Sequence, residues 1–165
     1  MRDFRTIMEE HSEHLIQLAF FYTKSYHAAE DIVQEVFIKF HNSDYEERGE
    51  LAAFLRRLTV NRSKDYVKSW SYRKLQLVDA WSGLTKKQRD NVIDFEERSE
   101  IGAAVLNLPI HYREVILLYY FEEMTTVEIA TLLGDTDSTV RTRLRRAREK
   151  LKPLLQQEWE VLNYE

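Results

Sequence analysis

Apolar residues recur at three- and four-residue spacing along most of this 165-residue chain, and only four glycines and two prolines interrupt them. That period belongs to amphipathic helices, and no stretch shows the two-residue alternation of a half-buried strand, so the chain is expected to be all-α. Apolar residues make up 44% of it and aromatics 12%, enough core material for a folded protein. The length suits one domain or two small ones, each near the lower limit for an independent core.

The first part reads as helices near residues 4–22, 28–41 and 51–69. The second carries Ile32, Val33, Val36, Phe37 and Phe40 on one stripe and leaves Asp31, Gln34 and Glu35 on the other side. From about 73 to 97 the pattern decays into polar and mixed residues, including Ser82-Gly83 and the charged stretch from Lys86 to Asp90, as a linker does. Two small helical domains, 1–72 and 98–165, are therefore expected on either side of a connection over 73–97.

A helix near 95–107 should break at Leu108-Pro109, because the residue before a proline is pushed out of the helical region. Another should run over 111–121. Thr125 followed three residues later by Glu128 is a capping box, in which hydroxyl and carboxylate satisfy each other's orphan backbone donors. The helix it starts turns Ile129, Leu132 and Leu133 inward and stops at Gly134, suited to a left-handed residue. The next helix is capped by Thr136 or Asp137.

The net charge of −4 hides its distribution. The stretches Arg56 to Lys74 and Ser138 to Lys152 hold 14 of the 24 basic residues and one acid each. Two concentrated basic segments on an acidic body suggest two contacts with a polyanion. The second follows a capped helix and a glycine-containing turn, which is the sequence form of a helix-turn-helix. Within it Val140, Leu144, Ala147 and Leu151 can pack inward, while Arg141, Thr142, Arg145, Arg146 and Arg148 project from the remaining arc. Arginine's planar fork can bond guanine bidentately or clamp phosphate, so this face suits DNA.

Other chemistries find little support. Cysteine is absent, which excludes disulfides, thiolate zinc sites and cysteine nucleophiles. The apolar runs fall far short of the ~20 residues that span a bilayer, and the N-terminus carries no signal-peptide pattern. No histidine follows a glutamate at the three-residue spacing of a helical di-metal site. His11 and His14 share a helical face, best explained as a surface pair, and the glycines lie too far apart for a phosphate loop. Neither an enzyme, a metal, a cofactor nor a small-molecule substrate is expected.

Several of these segments match one family in order. Leu108-Pro109, Arg113-Glu114-Val115, Tyr120-Phe121, Glu128-Ile129-Ala130, Leu133-Gly134, Thr139-Val140-Arg141 and Arg143-Leu144-Arg145-Arg146-Ala147-Arg148 resemble region 4 of extracytoplasmic-function (group 4) sigma factors of the sigma-70 family. Ala29 through Phe37 resembles their region 2.2, and Phe54-Leu55 through Asn61 to Asp65-Tyr66 their promoter-melting segment. The resemblance implies a region 2 helical bundle and a region 4 helix-turn-helix, with core RNA polymerase, promoter DNA and an anti-sigma factor as partners. It implies a cytoplasmic protein, which an anti-sigma factor could hold at the membrane. Residue by residue, it assigns Asp31, Gln34 and Glu35 to docking on polymerase and Asn61 to capture of an unstacked −10 base. Arg57, Arg62, Lys64 and Lys68 would hold the strand backbone. Arg141, Thr142, Arg145 and Arg146 would read the −35 element, with Arg148 on phosphate. Phe54 stands where the family usually has tryptophan, Asp135 where an apolar turn residue is usual, and Ser138 where glycine is frequent. The competing reading is a helix-turn-helix regulator that binds duplex DNA alone; it leaves unexplained the second basic segment, with Trp70 and Tyr72 interleaved, and the Asp31-Gln34-Glu35 face.

Overall fold

The computed structural model describes residues 3–43, 45, 50–69 and 99–154, with the side chains of 99, 100 and 154 left aside. The expected connection over 73–97 lies outside the described residues. The chain divides into two compact units, Met1–Val92 and Ile93–Glu165. Among the described residues all regular structure is helical.

In the first unit α1 (Phe4–Thr23), α2 (Tyr26–His41) and α3 (Leu51–Val67) pack against one another. Asp3 starts α1 by accepting the Thr6 backbone N–H at 2.7 Å, and that bond holds its carboxyl below the ordinary pKa. Lys24 ends α1 in the left-handed region, its N–H donating to Phe20 O at 2.8 Å. Ser25 immediately caps α2 by accepting the Ala28 N–H at 3.2 Å. That cap explains why α2 begins two residues before the apolar stripe suggests, and only Lys24 and Ser25 separate the two helices.

Ile32, Val33, Val36 and Phe37 are buried in α2, as the stripe requires; Leu15, Leu18, Phe20 and Tyr22 of α1 and Leu55 and Val60 of α3 are buried too, and the three helices pack on one another. Burial of each such side chain contributes about 1.5–3 kcal/mol. At one end the rings of Phe40, Tyr45 and Phe54 cluster, Tyr45 stacking on Phe54 with centroids 4.5 Å apart. Phe54, in place of the family's usual tryptophan, is thus a packing residue of this cluster.

In the second unit α4 (Ser99–Leu106) ends before Leu108-Pro109, and α5 (Ile110–Ile116) begins directly after the proline. Arg113 of α5 is 1% exposed and donates from Nη1 to Leu106 O at 3.0 Å, satisfying a terminal carbonyl of α4. The helix expected over 111–121 does not continue in α form. Residues Leu117–Phe121 make a wider π turn, closed by Glu122 N–H donating to Leu117 O at 3.1 Å. This keeps Leu117 and Leu118 buried while Tyr119 and Tyr120 stay half-buried.

Thr125 and Glu128 form the full capping box of α6 (Thr126–Leu133), both reciprocal bonds being 3.1 Å. Ile129 is buried, whereas Leu132 and Leu133 are only half-buried. Gly134 closes α6 at φ 70°, in the left-handed region that glycine adopts without strain. Of the two candidate caps for α7 (Asp137–Leu151), Thr136 is the one used, its hydroxyl accepting the Thr139 N–H at 3.1 Å.

Candidate nucleic-acid interface

Helix α7 buries Val140, Leu144, Ala147 and Leu151 against α5 and α6, which fixes its rotation about its own axis. Its arginines therefore leave in defined directions. Arg141, Arg145 and Arg146 are exposed, and Thr142 is half-buried beside them.

These arginines are not equivalent. Arg141 Nε meets Asp137 Oδ2 at 3.0 Å, one helical turn earlier, and Arg145 Nη1 lies 3.8 Å from Glu149 Oε1. Arg143, which points to the half-buried flank, bonds Asp135 Oδ2 at 2.9 Å and ties the turn to the helix. Asp135, where an apolar turn residue is usual, thus replaces packing with an ion pair. Arg146 is exposed and has no ion pair or hydrogen bond among the described residues.

Arg148, expected on phosphate, meets two tyrosines within the unit. Its Nε donates to the Tyr120 hydroxyl at 2.6 Å, and its guanidinium lies 5.6 and 5.5 Å from the Tyr119 and Tyr120 ring centroids. The π turn that brings both tyrosines beneath it has no signal in the uniformly apolar run Val115–Phe121.

In the first unit Arg57, Asn61 and Lys68 of the α3 region are exposed, and Arg62 and Lys64 are half-buried. Arg57 lies over the Phe54 ring at 5.3 Å from its centroid. On α2, Asp31, Gln34 and Glu35 are all exposed. His27 approaches Asp31 at 3.6 Å.

The structure joins two of the expected groups directly. Arg62 of α3 forks onto Glu35 of α2, with Nε on Oε2 and Nη2 at 3.5 Å from Oε1. This hydrogen bond, ahead of any Coulomb contribution, raises the Arg62 pKa above its ordinary value. Ile38, outside the residues expected on that face, is 61% exposed one turn beyond Gln34 and Glu35, on their face of α2. Its signal was available, since it interrupts the polar side of an otherwise regular stripe. Trp70 and Tyr72 lie outside the described residues.

Among the described residues no group of three or more histidine or acidic side chains could hold a metal ion, and no helix is long and apolar enough to cross a membrane.

Two family models and several curated relatives match this chain. The family described as Sigma-70 region 2 matches residues 7–71, and Sigma-70, region 4 matches residues 98–151. The chain is 31% identical to the ECF RNA polymerase sigma factor SigW of Bacillus subtilis (strain 168), over 92% of this chain and 88% of the relative. It is 29% identical to the RNA polymerase sigma factor SigV of the same strain, over 93% and 91%. Among solved structures, the fold resembles the sigma factor RpoE in its complex with the anti-sigma factor NepR from Bartonella quintana, with a TM-score of 0.68, 22% identity and coverage of 96% and 99%. It also resembles CnrH in complex with the cytosolic domain of CnrY, with a TM-score of 0.60, 24% identity and coverage of 92% and 86%.

Proposed function

This chain belongs to the sigma-70 family, among the extracytoplasmic-function sigma factors, and from that premise we propose that it binds core RNA polymerase and directs it to promoter DNA. It is a transcription initiation factor. On this reading it brings no catalytic group of its own, since phosphodiester chemistry belongs to the polymerase.

The roles divide between the units, residues 1–72 serving as region 2 and 98–165 as region 4, with 73–97 connecting them. On α7, Arg141, Thr142, Arg145 and Arg146 read the −35 duplex, the helix lying in the major groove. On α3, Asn61 captures an unstacked −10 base while Arg57, Lys64 and Lys68, joined by Arg62 when Glu35 releases it, hold the strand. Captured bases and cationic backbone contacts are what single-strand recognition requires. On α2, Asp31, Gln34 and Glu35 dock on polymerase, with exposed Ile38 adding an apolar contact at the C-terminal edge of that face. Regulation falls to an anti-sigma factor in the cytoplasm, which could also hold the protein at the membrane.

The observation that carries this reading is one chain with two separate cationic helix faces and a third, polar face on α2. Helix α7 alone would suit a stand-alone regulator equally well. A gel shift with and without core polymerase separates the two: promoter duplex should be bound mainly in the presence of core. Tight specific binding by the chain alone, with no stimulation of run-off transcription by core, would favour the regulator.

A further inference from the structure

We propose that Asp137 is a specificity-determining residue of the −35-reading face, where its carboxylate orients the Arg141 guanidinium toward a guanine. This rests on the reading of α7 as the −35 helix. Asp137 opens α7 and Arg141 follows one turn later, with Asp137 Oδ2 on Arg141 Nε at 3.0 Å. The contact uses the inner nitrogen of the guanidinium. Neither terminal nitrogen has a hydrogen bond among the described residues, and two parallel N–H donors are what guanine O6 and N7 accept. The location fits, because the N-terminal residues of a recognition helix are those that reach base edges.

Of the two partners the carboxylate is the fixed one. Its side chain is 36% exposed against 66% for Arg141. Its Oδ1 is buried with no hydrogen-bond partner among the described residues, so Oδ2 is the oxygen it presents. The helix N-terminus favours a negative charge at this position. An unrestrained arginine could turn to either a base or a phosphate; one ion-paired beside its Nε loses part of that choice.

The simpler account is an exposed i,i+4 pair that adds slightly to helix stability. The two accounts differ in sign. A carboxylate in the DNA-facing turn repels phosphate, so removing it should raise affinity for arbitrary duplex while lowering discrimination. A purely stabilising pair, once broken, lowers the melting temperature and leaves base preference as it was.

The test selects a duplex library randomised over the −35 region with holoenzyme reconstituted from the full chain and core polymerase. The wild type should select a motif containing a guanine that Arg141→Ala relaxes. Asp137→Asn should relax the same position roughly three- to tenfold, a part of what one bidentate arginine contact provides. It should also bind unselected duplex at least as tightly, with a salt dependence steeper by up to about one phosphate contact. The double variant should go no further than Arg141→Ala. Asp137→Ser, compatible with a helix start, is the second variant should the amide destabilise the fold, and it should relax the same position. Unchanged base preference in both Asp137 variants would overturn the proposal alone, as would relaxation at a position Arg141→Ala leaves intact, because Asp137 would then read a base itself. A wild-type holoenzyme that selects no −35 motif would overturn the underlying reading of α7.

Discussion

Replacing Glu35 by glutamine should weaken polymerase docking and at the same time strengthen the grip on single-stranded −10 DNA, because the same carboxylate holds Arg62. The size of the second effect follows from the exposure of the pair. The Arg62 and Glu35 side chains are 40% and 53% exposed, and one arm of the fork is already 3.5 Å long. Ion pairs so open to solvent are worth about 0.2–1 kcal/mol, so releasing Arg62 can raise strand affinity by at most about fivefold. A freed guanidinium that engages one more phosphate should steepen the log–log salt dependence by about 0.7, the single-strand value. The assay is fluorescence anisotropy of a labelled −10 oligonucleotide, titrated with holoenzyme across a salt series, with core polymerase in large excess so that docking does not limit. Arg62→Ala should weaken binding more in the Glu35→Gln background than in the wild type, which measures the coupling as a double-mutant cycle. Equal strand affinity and equal salt slope in wild type and Glu35→Gln would refute the reasoning and leave the pair as a structural link between α2 and α3.

Three further outcomes are expected. Arg148→Ala should destabilise the second unit by about 1–2 kcal/mol through loss of the Tyr120 hydrogen bond and the ring contacts, with the salt slope of duplex binding unchanged; normal thermal unfolding with a slope shallower by about 0.9 would put Arg148 on phosphate. Asn61→Ala should leave polymerase binding intact while slowing open-complex formation, a defect that persists on a promoter with a mismatched −10 bubble; normal opening on duplex would remove Asn61 from base capture. Gly134→Ala should lower stability by about 1–2 kcal/mol from backbone strain alone, since φ is 70° and an added Cβ would meet nothing within 4 Å; a melting temperature at or above wild type would show that the turn tolerates a side chain.

Features written into local sequence were legible. The stripes of α2 and α7, the Thr125–Glu128 box and the glycine stop at 134 each depend on residues within a turn or two of one another, and each takes its expected form. The π turn was not legible, because seven consecutive apolar residues from Val115 to Phe121 contain no period to read. The partners of the arginines divide the same way. Asp137–Arg141 and Arg145–Glu149 follow from i,i+4 spacing. Glu35–Arg62, 27 residues apart, and Tyr120–Arg148, 28 apart, exist only because the helices pack as they do. Sequence therefore located the cationic faces, while the allotment of each cation needed the fold.

The partial self-neutralisation of α7 bears on how a sigma factor finds few sites among many. Binding to arbitrary duplex is driven by counterions released as cations meet phosphates, and a genome offers roughly a million to a billion competing sites. Every guanidinium already answered by Asp135, Asp137 or Glu149 subtracts from that indiscriminate attraction. A guanine edge can still be met by the terminal nitrogens of Arg141 while Asp137 stays beside its Nε. If α7 reads the −35 element as proposed, the acids along this helix should shorten residence at wrong addresses, and the ratio of right to wrong occupancy should rise although the helix gains no new contact with its promoter.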